Sequence, residues 1–212
     1  MTIIDRKQRE KQMRRRNIIQ SAEKLFYKKG YENVTMNDIA QETELARSTL
    51  YLYFKNKEEI YLAIVLQGSE ILKEILTKNY EEGQNGIEKI KLLTKAFIKF
   101  YNEYPVYYLS RFYYQVPFDQ KYAKMDDLNK IRTESFALVV KAFQDGIDDG
   151  TLQPKQDPVK SAFILTSLLQ NVLNLTPTTK MHMENYGLTH DELIDYTIDF
   201  ILKSVKNYTK NE

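Results

Sequence analysis

The stretch from Thr35 to Ile60, TMNDIAQETELARSTLYLYFKNKEEI, decides how the rest of the chain is interpreted. Thr35 is a candidate helix N-cap, because its hydroxyl can accept a hydrogen bond from a backbone N–H in the first turn. Apolar residues follow at helical spacing, and after a polar interval Leu50 marks the buried side of a second short segment. The pattern predicts two short helices joined by a tight turn. This is the helix-turn-helix arrangement, whose second helix enters the major groove of DNA.

The second short helix carries side chains that suit DNA. Arg47 has the geometry to reach guanine acceptors or a phosphate, and Thr49 offers a methyl group to thymine. The tyrosine hydroxyls suit phosphate contacts. Lys57 is expected in the first turn of the next helix, capped by Asn56, where the helix dipole also attracts phosphate. The residues predicted to contact DNA are Thr35, Arg47, Ser48, Thr49, Tyr51, Tyr53, Lys57, Arg14 and Arg15.

The segment from Arg16 to Ile60 resembles the DNA-binding domain of the TetR family of bacterial repressors. The matching positions are Ile18, Ile19, Ala22, Leu25, Phe26, Gly30-Tyr31, Val34-Thr35, Ile39-Ala40, Leu45, Ser48-Thr49-Leu50-Tyr51, Tyr53-Phe54 and Lys57-Glu58-Glu59-Ile60. The resemblance implies a homodimer formed through the last two helices. One position departs from the family, which often has a small residue and then glycine at the turn. This chain has Thr43-Glu44, so we expect any positive φ to fall on Glu44 at a steric cost.

The composition excludes several kinds of site. The chain has no cysteine and only two histidines, which excludes a disulfide framework and a thiolate metal site and argues against a histidine-rich one. It has no nucleophile elbow, phosphate loop or paired histidine and carboxylate, so we expect no catalytic residues, no metal and no cofactor. No apolar run is long enough to span a bilayer, and the N-terminus is charged where a signal peptide is apolar. We expect a soluble cytoplasmic protein with no membrane partner.

Charge is distributed unevenly along the chain. Residues 1–57 contain 13 Lys and Arg against 7 Asp and Glu, and the remaining residues contain 18 against 22. A basic end on an acidic body predicts that this end binds a polyanion, and nucleic acid fits better than a membrane. The basic residues from Arg6 to Arg16 predict an N-terminal arm and first helical turns that lie along phosphates or reach a minor groove. The alternative is a solvated, frayed terminus.

Helical periodicity continues through the rest of the chain. We predict an all-α protein of about nine helices, with a helix-turn-helix domain at 1–56 and a ligand-binding and dimerisation domain at 57–212. The longer helices are predicted at 16–29, 57–80, 87–104, 120–149, 159–176 and 189–208. Gly30 is expected to end the first of them, and Thr189 with Glu192 to form a capping box at the last. The helix at 57–80 is expected to be shared by both domains and to transmit a signal.

An aromatic segment, VYYLSRFYYQVPF at 106–118, stands out in the body. It is interpreted either as part of the wall of a ligand pocket or as ordinary core packing. The candidate ligand-binding residues are Phe97, Tyr101, Tyr104, Tyr108, Phe112, Phe136, Val140, Phe143, Phe163, Gln170 and Asn174. For Gln170 and Asn174, the alternative is an amide satisfied at an interface. His182 is expected in a surface loop.

The last two predicted helices carry more apolar residues than one small domain buries, so we expect a second copy to cover them. The candidate interface residues are Phe163, Leu168, Leu169, Val172, Leu173, Tyr196, Phe200 and Ile201. We predict a sequence-specific regulator that binds a pseudo-palindromic double-stranded operator as a homodimer. The favoured role is a repressor released by a small lipophilic or aromatic ligand. The alternatives are an activator, or a helical protein-interaction module without specific DNA binding.

Overall fold

The computed structural model of the chain describes residues 3–112 and 124–207. Within these ranges, ten α-helices account for most residues, so the predicted all-α class is confirmed. The helices are α1 (Ile3–Lys29), α2 (Met36–Glu42), α3 (Arg47–Tyr51), α4 (Lys57–Glu82), α5 (Gly86–Glu103), α6 (Pro105–Phe112), α7 (Met125–Asp148), α8 (Pro158–Leu173), α9 (Pro177–Asn185) and α10 (His190–Val205). The part of the aromatic segment at 113–118 lies outside the described residues.

The described residues form two compact units. The described residues of the first lie within 1–70 and 104–129, and those of the second lie within 71–103 and 130–212. Helix α4 therefore contributes residues 57–70 to the first unit and 71–82 to the second. The functional division into domains at 1–56 and 57–212 stays a prediction.

Local capping chemistry sets most of the helix ends. Gly30 ends α1 with φ +78°, and its N–H donates to the Phe26 carbonyl at 2.9 Å, as expected for a C′ glycine. Thr189 and Glu192 form the predicted capping box at α10. Helix α8 begins at Pro158 after the cap Asp157, a position where the missing proline N–H costs nothing.

One region differs from the expectation. His182 lies on a helix, α9, and not in a loop. Helix α8 ends at Leu173 because Asn174 leaves the helical region (φ −115°, ψ 61°), and Thr176 then caps α9 by accepting a bond from the Thr179 N–H at 3.1 Å. The Thr-Pro pair at 176–177 is the local signal for this helix, since proline is favoured at the first helical position.

The core of the first unit is aromatic. The Tyr31 and Tyr61 ring centroids lie 4.7 Å apart, and that of Phe26 lies 5.3 Å from Tyr31. Helix α6 packs on α4 of this unit. The Tyr61 hydroxyl donates to the Ser110 carbonyl at 2.7 Å, and a Cβ added to Gly68 would lie only 2.7 Å from the Tyr107 Cβ. Gly68 therefore allows α4 and α6 to approach closely.

In the second unit, the DGIDDG segment at 145–150 is a structural cap. Asp149 accepts a bond from the Gly86 N–H at 2.7 Å, at the N-terminus of α5. Asp145 forms an ion pair with Lys89 at 2.6 Å and also accepts from the Tyr80 hydroxyl. A carboxylate at a helix N-terminus satisfies free N–H groups and complements the dipole. These contacts give Asp145 and Asp149 structural roles.

Candidate DNA-binding site

Helix α2 begins at a capping box. The Asp38 N–H donates to the Thr35 hydroxyl oxygen at 3.2 Å, and the Thr35 N–H donates to the Asp38 carboxylate at 2.8 Å. The predicted N-cap role of Thr35 is confirmed, and its hydroxyl also donates to Asp38. These bonds hold the pKa of the exposed Asp38 carboxyl at about 2, because they favour its charged form, and nearby Lys29 adds to the effect.

The turn between α2 and α3 is closed by two backbone bonds. The Glu44 N–H donates to the Gln41 carbonyl at 3.1 Å, and the Leu45 N–H to the Ala40 carbonyl at 2.9 Å. This pairing is the Schellman motif, whose C′ residue takes the left-handed conformation. That residue is Glu44, with φ 53°, and it is the one non-glycine residue with positive φ in the described part of the chain. The structure thus places a positive φ on Glu44, as the departure from the family pattern had suggested.

Helix α3 exposes two adjacent rows of side chains. Arg47 and Tyr51 form one row, with a guanidinium nitrogen 3.4 Å from the tyrosine hydroxyl and the guanidinium carbon 5.6 Å from the ring centroid. Ser48 and Leu52, also four residues apart, form the other. The one fully buried residue of the helix is Leu50, which fixes these rows to the solvent side. The arrangement presents Arg47, Ser48 and Tyr51 together, as a recognition helix requires.

Leu52 is a residue of this face that the sequence analysis assigned no role. Its side chain is 78% exposed, although leucine is a large apolar residue. In the sequence, Leu52 follows Ser48 by four residues, and this spacing predicts that both side chains lie on one row of the helix. Such a side chain can contact a thymine methyl group. Thr49 and Tyr53, which were predicted to contact DNA, are half-buried at the edge of the face.

Arg15 is used partly for packing. Its guanidinium carbon lies 4.2 Å from the centroid of the buried Phe54 ring. Partial burial lowers the pKa of Arg15 below its ordinary value, and the nearby Glu59 carboxylate opposes that effect. The contact links α1 to the segment that follows α3. Arg14, its neighbour, is exposed and lines a groove between α1 and the α2–α3 turn that also contains Glu44.

Lys57 also contacts other residues of the first unit. Its ammonium donates to the Tyr31 carbonyl at 2.8 Å and lies 4.1 Å from the Tyr31 ring centroid. Asn56 caps α4 as predicted, by accepting a bond from the Glu59 N–H at 2.9 Å. Lys57 thus joins the start of α4 to the loop after α1. Lys55, which is exposed just before the cap, is a second basic residue at this site that the sequence analysis left without a role.

The basic N-terminal run belongs to helix α1. Helix α1 starts at Ile3, and Arg6 forms an i,i+4 ion pair with Glu10 at 3.0 Å. The basic residues Lys11, Arg14 and Arg16 are exposed along the same helix. They can follow a phosphate backbone from a helix surface. Contact of this run with phosphates or with a minor groove stays a prediction.

The candidate ligand residues are divided between the units. Tyr104 and Tyr108 belong to the first, and Tyr108 is fully buried. The Phe112 backbone belongs to α6, and its side chain lies outside the described residues. Those in the second unit are Phe97, Tyr101, Phe136, Val140, Phe143, Phe163, Gln170 and Asn174.

Within the second unit, these candidates differ in exposure. Phe143 is buried, whereas Phe163 is 58% exposed, with its ring centroid 4.6 Å from that of Phe136. Asn174 is the C-cap residue of α8, and its side-chain amide donates to the Gln170 carbonyl at 2.8 Å. The amide of Asn174 therefore has a structural partner. A ligand role for these residues stays a prediction.

The candidate dimer residues on α8 and α10 separate into two groups. Leu169, Leu173 and Ile201 are buried within the subunit, and Val172 is half-buried. The exposed ones are Phe163, Leu168, Tyr196 and Phe200, and α8 also exposes Val159 and Ile164. The Tyr196 and Phe200 rings are stacked, with centroids 6.4 Å apart. We call the exposed set, Val159, Phe163, Ile164, Leu168, Tyr196 and Phe200, the apolar face.

Among the described residues, no group of three or more His, Asp or Glu side chains is arranged to hold a metal ion. None of the described helices combines the length and apolarity needed to cross a membrane.

Comparisons with known proteins agree with this geometry. The profile of the family described as "Bacterial regulatory proteins, tetR family" matches residues 18–64. A helix-turn-helix transcriptional regulator of Staphylococcus aureus (strain USA300) is 31% identical over 151 residues, which cover 61% of this chain and 81% of that protein.

Solved structures share the fold. A bacterial regulatory protein in the tetR family from Rhodococcus RHA1 superposes with a TM-score of 0.74 at 18% identity, covering 91% of this chain and 97% of the other. The regulator FadR of Bacillus subtilis, crystallised with stearoyl-CoA, gives a TM-score of 0.66 at 17% identity, covering 88% and 96%. At these identities, the likeness concerns the fold.

The left-handed Glu44 generates a stability prediction. Replacing Glu44 with glycine removes the steric cost of positive φ and should raise the free energy of unfolding by about 1 kcal/mol. The matched control is Glu42→Gly at the last residue of α2, which should lower it by about 1 kcal/mol or less. Urea unfolding of both variants measures the difference. A loss of stability in both would show that the turn carries no steric cost at residue 44.

The Thr35–Asp38 capping box generates a pH prediction. Because the folded-state pKa of Asp38 lies below its usual value, the stabilisation is present above about pH 4 and is lost as pH falls toward 2. Thr35→Val, Asp38→Asn and the double variant form a mutant cycle. The coupling free energy from urea unfolding should be favourable at pH 7 and shrink between pH 4 and 2. A coupling that is constant over this range would contradict the assignment.

Proposed function

The chain belongs to the tetR family of bacterial regulatory proteins, and from this we propose that it is a homodimeric repressor of a pseudo-palindromic operator. A helix-turn-helix transcriptional regulator binds DNA. We further propose that this one represses transcription, forms a dimer and responds to an effector. The observation that carries the proposal is the exposed face of α3, where Arg47, Ser48 and Tyr51 lie on the side opposite buried Leu50.

We infer that Arg47 provides the base contact with the greatest discrimination. An arginine can donate two hydrogen bonds to guanine, which is the commonest specific contact in the major groove. Tyr51 lies beside it and limits the rotamers of its side chain. Exposed Arg14, Arg16 and Lys55 supply charge for phosphates, which positions the domain without reading sequence.

The homodimer would present two copies of α3 to successive major grooves, about 34–36 Å apart along the duplex. The apolar face supports this proposal, because α8 and α10 pack together and both expose several large apolar side chains. Single exposed apolar residues are normal on a surface, whereas a group of them usually has a partner. Because a chromosomal operator is the proposed target, we propose that the protein acts in the cytoplasm.

We propose that a small effector with a lipophilic or aromatic part releases the operator. The aromatic residues Phe97, Tyr101 and Phe143 of the second unit support a guest of this class. FadR of Bacillus subtilis was crystallised with stearoyl-CoA. An effector acts only through unequal affinity for the DNA-competent and incompetent states. Helix α4 contributes to both units and is the proposed element that couples them.

Selection from a random pool of duplex DNA at two salt concentrations tests the function. An enriched pseudo-palindrome whose affinity falls as salt rises is the expected result. On that duplex, Arg47→Ala should weaken binding by about 1–3 kcal/mol and relax the preference at one base pair in each half-site. Lys78→Ala, at an exposed lysine paired with Glu82, is the charge-matched control and should bind like the wild type. Uniform weakening on all sequences would assign Arg47 to a phosphate. Absence of any enriched sequence would overturn the proposal.

Introducing charge on the apolar face tests the dimer. Phe200→Glu should give a monomer in sedimentation at micromolar concentration and lose operator binding, because burying an unpaired carboxylate costs several kcal/mol. Tyr186→Glu, at a residue that is 88% exposed outside this face, is the control and should stay dimeric. A dimeric Phe200→Glu protein would exclude this face as the interface.

A further inference from the structure

A second surface of the body has chemistry that the proposed function does not use. Helices α5 and α10, both in the second unit, border an open groove of about 800 Å³. This volume lies within the usual range of small-molecule sites, about 300–1,000 Å³. The groove residues are distinct from the aromatic candidates and from the apolar face. The proposed function therefore assigns no role to this groove.

The two helices contribute the same pattern of residues to the groove. On α5, Glu88 is followed by Lys91, Leu92 and Lys95. On α10, Asp199 is followed by Leu202 and Lys203, with Lys206 at its end. Counted from Glu88 or from Asp199, the other three residues follow at positions +3, +4 and +7. These positions lie on a single helix face. Each helix thus presents one carboxylate, one leucine and two lysines.

The carboxylates of the groove are already engaged. Asp199 forms an ion pair with Lys203 at 2.6 Å. Glu88 accepts a bond from the Gln84 N–H at 2.9 Å, at the start of its own helix. In the described part of the chain, no carboxylate lies within ion-pair distance of Lys91 or Lys95. The groove has an excess of positive charge, and these two lysines, four residues apart, repel each other.

The apolar residues of the groove narrow the class of ligand. Ile87 and the two leucines, Leu92 and Leu202, line the groove together with the lysines. Lysine binds phosphate as a compact point charge, and apolar side chains favour a ligand with an organic part. We propose that this groove is a binding site for an organic phosphate that carries at least two negative charges and an aromatic or apolar group.

The proposed site does not depend on operator binding, so its test uses the protein without DNA. Titration calorimetry of the full chain compares three probes: ADP, which has both features, pyrophosphate, which has the charge alone, and adenosine, which has the ring alone. ADP should bind more tightly than pyrophosphate, adenosine should give no measurable heat, and 1 M salt should abolish ADP binding. Equal binding of ADP and pyrophosphate would overturn the role of the apolar residues. Absence of ADP binding at millimolar concentration would overturn the site.

A matched pair of double variants locates the binding. Lys91→Gln/Lys95→Gln should weaken ADP binding about tenfold, as expected for the loss of two exposed charge contacts. Lys78→Gln/Lys160→Gln removes the same charge from exposed lysines of the second unit that pair locally with Glu82 and Asp157. This control should bind ADP like the wild type. If both variants lose affinity equally, the effect is one of net charge and the groove is not the site.

Discussion

The packing of Leu50 and Phe54 is the constraint on which the DNA-binding surface depends. Helix α3 has only five residues and no side-chain cap at its N-terminus, so it is too short to be stable by itself. Full burial of a leucine or phenylalanine side chain contributes about 1.5–3 kcal/mol each, more than a cap of about 1 kcal/mol would supply. Both side chains are almost completely buried. The burial of Leu50 and Phe54 therefore determines that Arg47 and Tyr51 face solvent.

Two cation–aromatic contacts strengthen the same region. Arg15 lies over Phe54, and Lys57 lies over Tyr31 while donating to its carbonyl. Pairs of this kind contribute about 0.5–1 kcal/mol when exposed and about 2 kcal/mol or more when desolvated. These residues connect α1, the loop after it and the start of α4 around the recognition helix. Some basic residues of this domain therefore stabilise its fold, as Arg15 and Lys57 do. The exposed ones, such as Arg14 and Lys55, are better placed to contact phosphates.

Local chemistry made much of the fold predictable. The caps at Thr35, Asn56 and Thr189, the glycine end of α1 and the positive φ of Glu44 all follow from contacts within six residues along the chain. The packing contacts of Lys57 and Arg15 could not be predicted from local sequence, because their partners Tyr31 and Phe54 lie 26 and 39 positions away. Helix α9 was missed although the Thr-Pro signal was present, since its composition is polar and without clear periodicity. The candidate ligand residues are mostly aromatic, and aromatic content does not distinguish a pocket from a core.

Site-specific crosslinking tests the central claim, that the exposed face of α3 reads bases. The chain has no cysteine, so Ser48→Cys introduces a unique attachment point for a photoactivatable reagent. On the selected operator duplex, residue 48 should crosslink to bases at one position in each half-site. Thr178→Cys on α9, at an exposed residue of the body, should give no crosslink under the same conditions. Crosslinking from residue 48 no stronger than from residue 178, or equal crosslinking to unselected DNA, would contradict the account.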